Sequence, residues 1–459
     1  MMQERIKAVK IVATYSFILQ DKINHVGERT ANKGACTMTY QLAEGVNLHV
    51  LQTKQYKTVR IFVRFTTRLK KEVITKRSLL SSLLETNSLN YPDQTQLSAK
   101  LADLYGASFG TSVRKKGNLH WLDASINFVN GKYINDTSIL NQAVAFLKEV
   151  LFYPNITGEK FDPATFALEK NNLKLYLESL NEDKQTMASL ALQELYFDQS
   201  EAQKIPSFGT IEDLDELTAE VLADYYHQMI TEDQIDIFVV GDVSPAEVQA
   251  AFSEWAFPER ERLHPEIFYS QPQENIIKER QIEEPVTQAK LNLAYQTNVY
   301  YDQPDRFSLM VFNGLFGGFP HSKLFMNVRE KESLAYYASS SIDTFRGFLS
   351  VQTGIDGRKR NQVLHLIHEQ LESLRNGEVT ELELTQTKAM LRNQYLLSLD
   401  APQVAVETAY LENWLPETKL TADEWLKRME KVTVEDIQKI ARQIELQAIF
   451  FLDGGTTNE

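Results

Sequence analysis

The sequence predicts an α+β protein of two homologous, duplicated domains, each a mainly antiparallel sheet with helices packed on one face. Three observations carry this. The chain has 459 residues, more than a single hydrophobic core usually supports. The end of the first half, ELTAEVLADYYHQMITEDQIDIFVVGDV, and the end of the chain, KVTVEDIQKIARQIELQAIFFLDGG, both read as helix, turn and buried strand. Strands and long amphipathic helices are present without the regular strand-helix-strand alternation of a doubly wound sheet.

Taken in order, the N-terminal AVKIVATYSFIL is apolar but short, is interrupted by Lys10, and is followed by no small-residue cleavage site, so it predicts no signal peptide. No uncharged apolar run approaches the roughly 18 to 20 residues that span a bilayer. The expected location is cytoplasmic. Cys36 is the single cysteine, which excludes an internal disulfide framework and a multi-cysteine zinc site; it reads as a buried or idle thiol. TVRIFVRF and LHWLDASINF read as strands. Between them, Gly106-Ala-Ser108-Phe-Gly110 spells a nucleophile elbow, but an elbow needs strand, turn, helix. Here helical SAKLADLY precedes extended SFGTSV, which places Ser108 at a helix-to-strand junction.

The duplication appears a second time. FALEKNNLKLYLESLNEDK and LELTQTKAMLRNQYLLSLDAP share their apolar spacing, with Lys170 matching Lys388 and Leu173 matching Leu391. Thr218 and Thr433 each precede an acidic residue as helix caps, and the runs Ile237 to Val240 and Ile449 to Leu452 follow them. Both echoes share an offset of about 215 residues, too long for a solenoid and suited to a duplicated domain. The predicted division is residues 1–256, a surface connector at 257–275 marked by Pro258, Pro265 and Pro272, and residues 276–459. A net charge of −14 argues against a nucleic-acid surface, which needs a basic face.

The segment GLFGGFPHSKLFMNVREKESLAYYASS, from Gly314 to Ser340, sets one arginine and one tyrosine beside two glycines. Gly317 and Gly318 permit close backbone approach, and Pro320 ends the preceding element. Leu324, Phe325 and Val328 recur at helical spacing, which leaves Arg329 near that helix's C-terminal end and Tyr336 at the start of an extended run. An arginine offers a planar fork of donors and a tyrosine one hydroxyl, so the pair can grip a carbonyl oxygen but cannot cleave anything. The bland alternative pairs Arg329 with Glu330 or Glu332 on a wet face and half-buries Tyr336.

This segment resembles the C-terminal half of the pitrilysin/insulinase family of zinc peptidases, in which an Arg and a Tyr seven residues apart stand in a context like R-E-K-x-G-L-A-Y. Here REKESLAY departs only by Ser333 for glycine. The resemblance implies two halves enclosing a clam-shell chamber and, in the first half, His-x-x-Glu-His on a helix with a later Glu as third zinc ligand. Those positions here are Ser78, Ser81, Ser82 and, downstream, Tyr176, flanked by Glu169 and Glu178. Serine hydroxyls are neither usual zinc ligands nor general bases. They read as solvated helix positions or as hydroxyls bonding back one turn. His365 and His368 match neither the zinc motif nor its inverse and read as a solvent-facing helix side; His321 is a candidate substrate contact.

The resemblance therefore implies a chain that binds no cofactor itself, with zinc expected in a homologous partner subunit. In that heterodimer Arg329 would orient the scissile peptide and Tyr336 would donate to the oxyanion, with Gly317, Gly318 and Ser322 completing the substrate contacts. Extended substrate could also add to a sheet edge near Ala107 to Val113. The rivals are a structural scaffold and a peptide-binding module without protease. In isolation, pairing with a second copy of the chain is the alternative assembly.

Overall fold

The computed structural model describes residues 36–263 and 266–454. The N-terminal apolar stretch lies outside them, so the signal-peptide expectation falls on undescribed residues. No helix among the described residues is long and apolar enough to cross a membrane.

The first half begins with β1 (Cys36–Ala43), β2 (Val46–Gln52) and β3 (Thr58–Arg68), followed by α1 (Lys71–Thr86) and α2 (Gln94–Asp103). Next come β4 (Ser108–Lys116), β5 (Leu119–Val129), α3 (Ile139–Phe152) and the two-residue strands β6 (Ile156–Thr157) and β7 (Lys160–Phe161). It closes with α4 (Pro163–Ser179), α5 (Lys184–Tyr196), α6 (Glu201–Lys204), α7 (Ile211–Asp215), α8 (Ala219–Glu232), β8 (Gln234–Gly241) and α9 (Pro245–Ala251). Ser108 thus opens a strand after a helix, as its surroundings predict.

The second half runs β9 (Lys278–Glu283), β10 (Ala289–Gln296), α10 (Arg306–Asn313), wide helical turns at Gly314–Gly318 and Leu324–Lys331, β11 (Ala335–Asp343) and β12 (Phe348–Ile355). Five helices follow: α11 (Arg360–Arg375), α12 (Glu381–Ser398), α13 (Pro402–Trp414), α14 (Ala422–Glu430) and α15 (Val434–Gln443). β13 (Glu445–Asp453) ends it.

The two sheets repeat one plan. The first is ordered β1-β2-β8-β3-β5-β4 and the second β11-β12-β10-β13-β9. In each, one pair is parallel, β2 with β8 and β13 with β9, and the remaining pairs are antiparallel. The echoes behave alike in detail. Thr218 accepts from the Val221 N–H and Thr433 from the Asp436 N–H, each capping the helix that leads into the last strand. Lys170 donates to the Asp215 and Leu217 carbonyls and Lys388 to the Glu430 carbonyl, so both lysines close the turn before that helix. Leu173 and Leu391 are both buried.

Each sheet carries its own helices on one face, as the mix of strands and long amphipathic helices predicts. The second faces are not bare. On the first sheet, Leu51, Phe62, Trp121, Phe238 and Val240 pack against Val406, Tyr410, Leu411 and Leu415 at α13 of the second half. On the second sheet, Ala294, Phe348, Phe450 and Leu452 pack against Ala188, Leu192, Tyr196 and Phe197 at α5 of the first half. Each domain thus lends a helix to the other's sheet. The connector 257–275 is not a loose surface strand, since Ile267 is 6% exposed within the same joint and its carbonyl accepts from the Asn118 N–H.

Charge reinforces the joint. Arg64, in the middle of β3, is 1% exposed and lies 3.8 Å from the Trp121 ring centre. Its guanidinium donates to Asp123 at 2.7 and 2.9 Å and to Glu407 of α13 at 2.6 Å. Burial pushes the Glu407 and Asp123 carboxyls up, but the neighbouring arginines outweigh it and hold both below their ordinary values.

Candidate functional site

α10 passes without a break into Gly314–Gly318, where hydrogen bonds reach one residue further than in an α-helix. The segment is therefore helical through both glycines, and the chain turns extended at Phe319 (φ −134, ψ 160), just before Pro320. Gly317 is buried, and a Cβ there would lie 2.6 Å from the Ser340 backbone nitrogen. A Cβ on Gly318 would lie 2.9 Å from Asn313 Nδ2. The glycines let this chain's own segments approach each other, which corrects their expected place as a bed for peptide at Gly317.

Ser322 is 1% exposed, and its hydroxyl accepts from the Phe325 N–H at 3.4 Å. It helps start the next wide helical stretch, Leu324–Lys331, and faces inward rather than toward substrate. His321 stacks on Phe319 at 5.5 Å and meets Thr387 Oγ1 of α12 at 2.9 Å, so its contacts are internal too. Leu324 and Val328 are fully buried, as their spacing predicts, whereas Phe325, expected with them, is only partly buried. Wide helical turns are rare and recur at functional sites. Here one carries Arg329.

The Arg329 side chain is 40% exposed, lies over the Phe325 ring at 4.5 Å, and has its nearest acid, Glu330, at 3.6 Å. That ion pair is long and wet, and holds the guanidinium loosely. Four residues on, Ser333 adopts φ +52, the left-handed conformation that glycine takes freely, so the backbone keeps the turn at which the family pattern has glycine. β11 then pairs Ala335 with Ile355 and Tyr337 with Gly354, leaving Tyr336 as the extra residue of a bulge. A bulge re-aims a side chain. Tyr336 is 65% exposed.

Its neighbour Tyr337 points elsewhere, its hydroxyl meeting Gln185 Oε1 on α5 and its hydroxyl pKa pushed up by burial. The structure thus ties β11 to the first half through Tyr337, a residue that sequence reasoning passed over; only its place beside Tyr336 signals it.

The serine positions lie on α1. Ser78 and Ser81 are each 6% exposed, which corrects the expectation of solvated positions. Ser81 Oγ donates sideways to Thr111 Oγ1 at 2.8 Å on β4 rather than back along its helix. Glu85, one turn on, accepts from the Thr111 N–H at 2.9 Å. Thr86 bonds to Glu169 Oε1 of α4 at 3.0 Å. Tyr176, at the matching place for a third ligand, is 48% exposed and meets the Phe208 ring edge-on at 5.6 Å. Among the described residues, no three of His, Cys, Asp or Glu converge as a metal group would require. His365 and His368 lie on the outer side of α11, 69% and 64% exposed, beside Glu369 and Glu372.

Residues 216–391, which include Arg329 and Tyr336, match the family model described as the peptidase M16 inactive domain. The chain is 37% identical over 413 residues to a protein of Bacillus subtilis (strain 168) called the probable inactive metalloprotease YmfF, covering 89% of this chain and 96% of that one. A crystal structure of a conserved protein from Enterococcus faecalis V583 superposes with a TM-score of 0.90 at 60% identity, covering 92% of this chain and all of that one. A peptidase M16 inactive domain from Pseudomonas fluorescens, 19% identical, shares the fold with a TM-score of 0.74 over 92% of this chain and 100% of its own.

Proposed function

This chain belongs to the pitrilysin/insulinase (peptidase M16) family as a non-catalytic, peptidase-like member, and we propose that it holds substrate for a homologous partner subunit that bears the zinc. The observation that carries this reading is the contrast between its two halves. At the zinc-motif positions the side chains are Ser78, Ser81 and Ser82, two of them buried and one bonded to β4. In the second half, the Tyr336 side chain is thrown outward by a bulge and the Arg329 guanidinium is half-free.

In the pair, zinc in the partner would activate water. Tyr336 would donate its O–H to the oxygen on which negative charge develops, and Arg329 would clamp a flanking carbonyl through its planar fork. The space for peptide would lie between the two chains, because α5 and α13 fill the joint within this one. A scaffold role is the second reading, and the packing of Arg329 on Phe325 favours it.

The test is reconstitution with a zinc-motif homologue sought in the same genome, with peptide cleavage as readout. Arg329→Ala or Tyr336→Phe is expected to lower turnover about 10²-fold, the order for loss of one oxyanion donor, with the assembly intact by size-exclusion chromatography. Equal cleavage rates for wild type and both variants would leave the scaffold reading standing.

A further inference from the structure

β4 is one of the two edge strands of the first sheet, β1 being the other. An edge strand presents alternate backbone N–H and C=O groups that an extended peptide can pair with. β4 pairs with β5 in unbroken register from Ser108 with Asn127 to Lys116 with Leu119, so its outward amides alternate regularly. Thr111 carries one of them, yet its N–H is not open: it donates to Glu85 Oε2 at 2.9 Å. The same carboxylate oxygen lies 2.8 Å from Thr111 Oγ1, which in turn accepts from Ser81.

Two features set Glu85 apart from an ordinary surface acid. It lies in the last turn of α1, which has no basic residue there, so its charge faces the unfavourable end of the helix dipole. It also has no counterpart in the repeat. There Asn313 accepts from Ser340 on the edge strand β11 as Ser81 meets Thr111, but four residues after Asn313 stands Gly317, whose backbone itself abuts Ser340. The duplicated fold therefore does not need the carboxylate.

We propose that Glu85 is a built-in stand-in for a peptide carbonyl: its carboxylate takes the hydrogen-bond place on β4 that an extended polypeptide would use, and so closes the β4 edge of the first domain to strand addition. This holds whether or not a zinc-bearing partner exists.

The test is amide hydrogen exchange of the full chain, alone and with excess oxidised insulin B chain as an extended-peptide probe, in wild type, Glu85→Ala and Glu85→Gln. In wild type the peptide is expected to leave exchange over Phe109–Val113 unchanged. In Glu85→Ala the Thr111 amide should exchange at least about tenfold faster without peptide and regain protection with it. Glu85→Gln, which keeps an acceptor oxygen, should behave as wild type. Peptide protection of β4 in the wild type, or none in Glu85→Ala, would overturn the proposal.

Discussion

Removing Glu407 tests whether charge helps to hold the two halves together. Its Oε1 lies 2.6 Å from Arg64 Nη2, 3.1 Å from Arg114 Nη2 and 3.2 Å from Gln403 Nε2. Arg114 is 40% exposed and contributes little, whereas Arg64 is 1% exposed and its bond is charge-assisted and desolvated. In Glu407→Ala, Arg64 keeps Asp123, so no buried charge is stranded, and the loss should be about 2 kcal/mol. In Asp123→Ala the guanidinium keeps only its contact across the joint, and the cost should rise to about 3–5 kcal/mol. Urea unfolding read both by circular dichroism and by tryptophan fluorescence measures this, since Trp121 and Trp414 flank the joint. Because each sheet needs the other half's helix, wild type should unfold in one transition seen alike by both probes. Equal costs for the two variants, or separate transitions in wild type, would refute the reasoning.

Acid should weaken the same joint. Asp123 and Glu407 titrate below their ordinary values of 3.8 and 4.5, so the stability they contribute is complete above those values and is lost as pH falls through them toward the lower folded pKa values. Midpoints of thermal unfolding from pH 7 to pH 3 should therefore drop more steeply below about pH 4.5 in wild type than in a Glu407→Gln variant. Gly317→Ala should cost about 1–3 kcal/mol, because the new methyl meets the Ser340 backbone at 2.6 Å; chemical denaturation would show it. Ser333→Gly should be neutral or stabilising by up to about 1 kcal/mol, since glycine relieves a left-handed φ of +52 but has more freedom to lose; a clear fall in melting temperature would contradict that.

What could be read from the chain depended on how local the cause was. The Thr218 and Thr433 caps are local, and with the matched spacing of Lys170 and Lys388 they expose the duplication, whereas the carbonyls that those lysines reach stand more than 40 residues away and could not be read. The spacing of Leu324 and Val328 likewise gives the buried side of the Arg329 helix. The exchange of α5 and α13 was not legible: Ala188, Leu192 and Tyr196 form an ordinary apolar stripe, and no pattern says which sheet it will meet. Arg64 reads as the polar half of an alternating strand and is nearly inaccessible because a helix more than 300 residues away covers it. The bulge at Tyr336 follows from a register shift between strands, which a single sequence does not encode visibly. Glu85 and Thr111, too, meet only once α1 is laid beside β4.

The mutual loan of helices also bears on how the polypeptide is made. When a ribosome has completed β8, the first sheet has all its strands, yet one side of it still lacks a cover that is not synthesised until Pro402–Trp414. For much of translation the nascent chain thus carries a greasy, half-finished slab bearing Phe62, Trp121 and Phe238, the kind of surface to which chaperones attach.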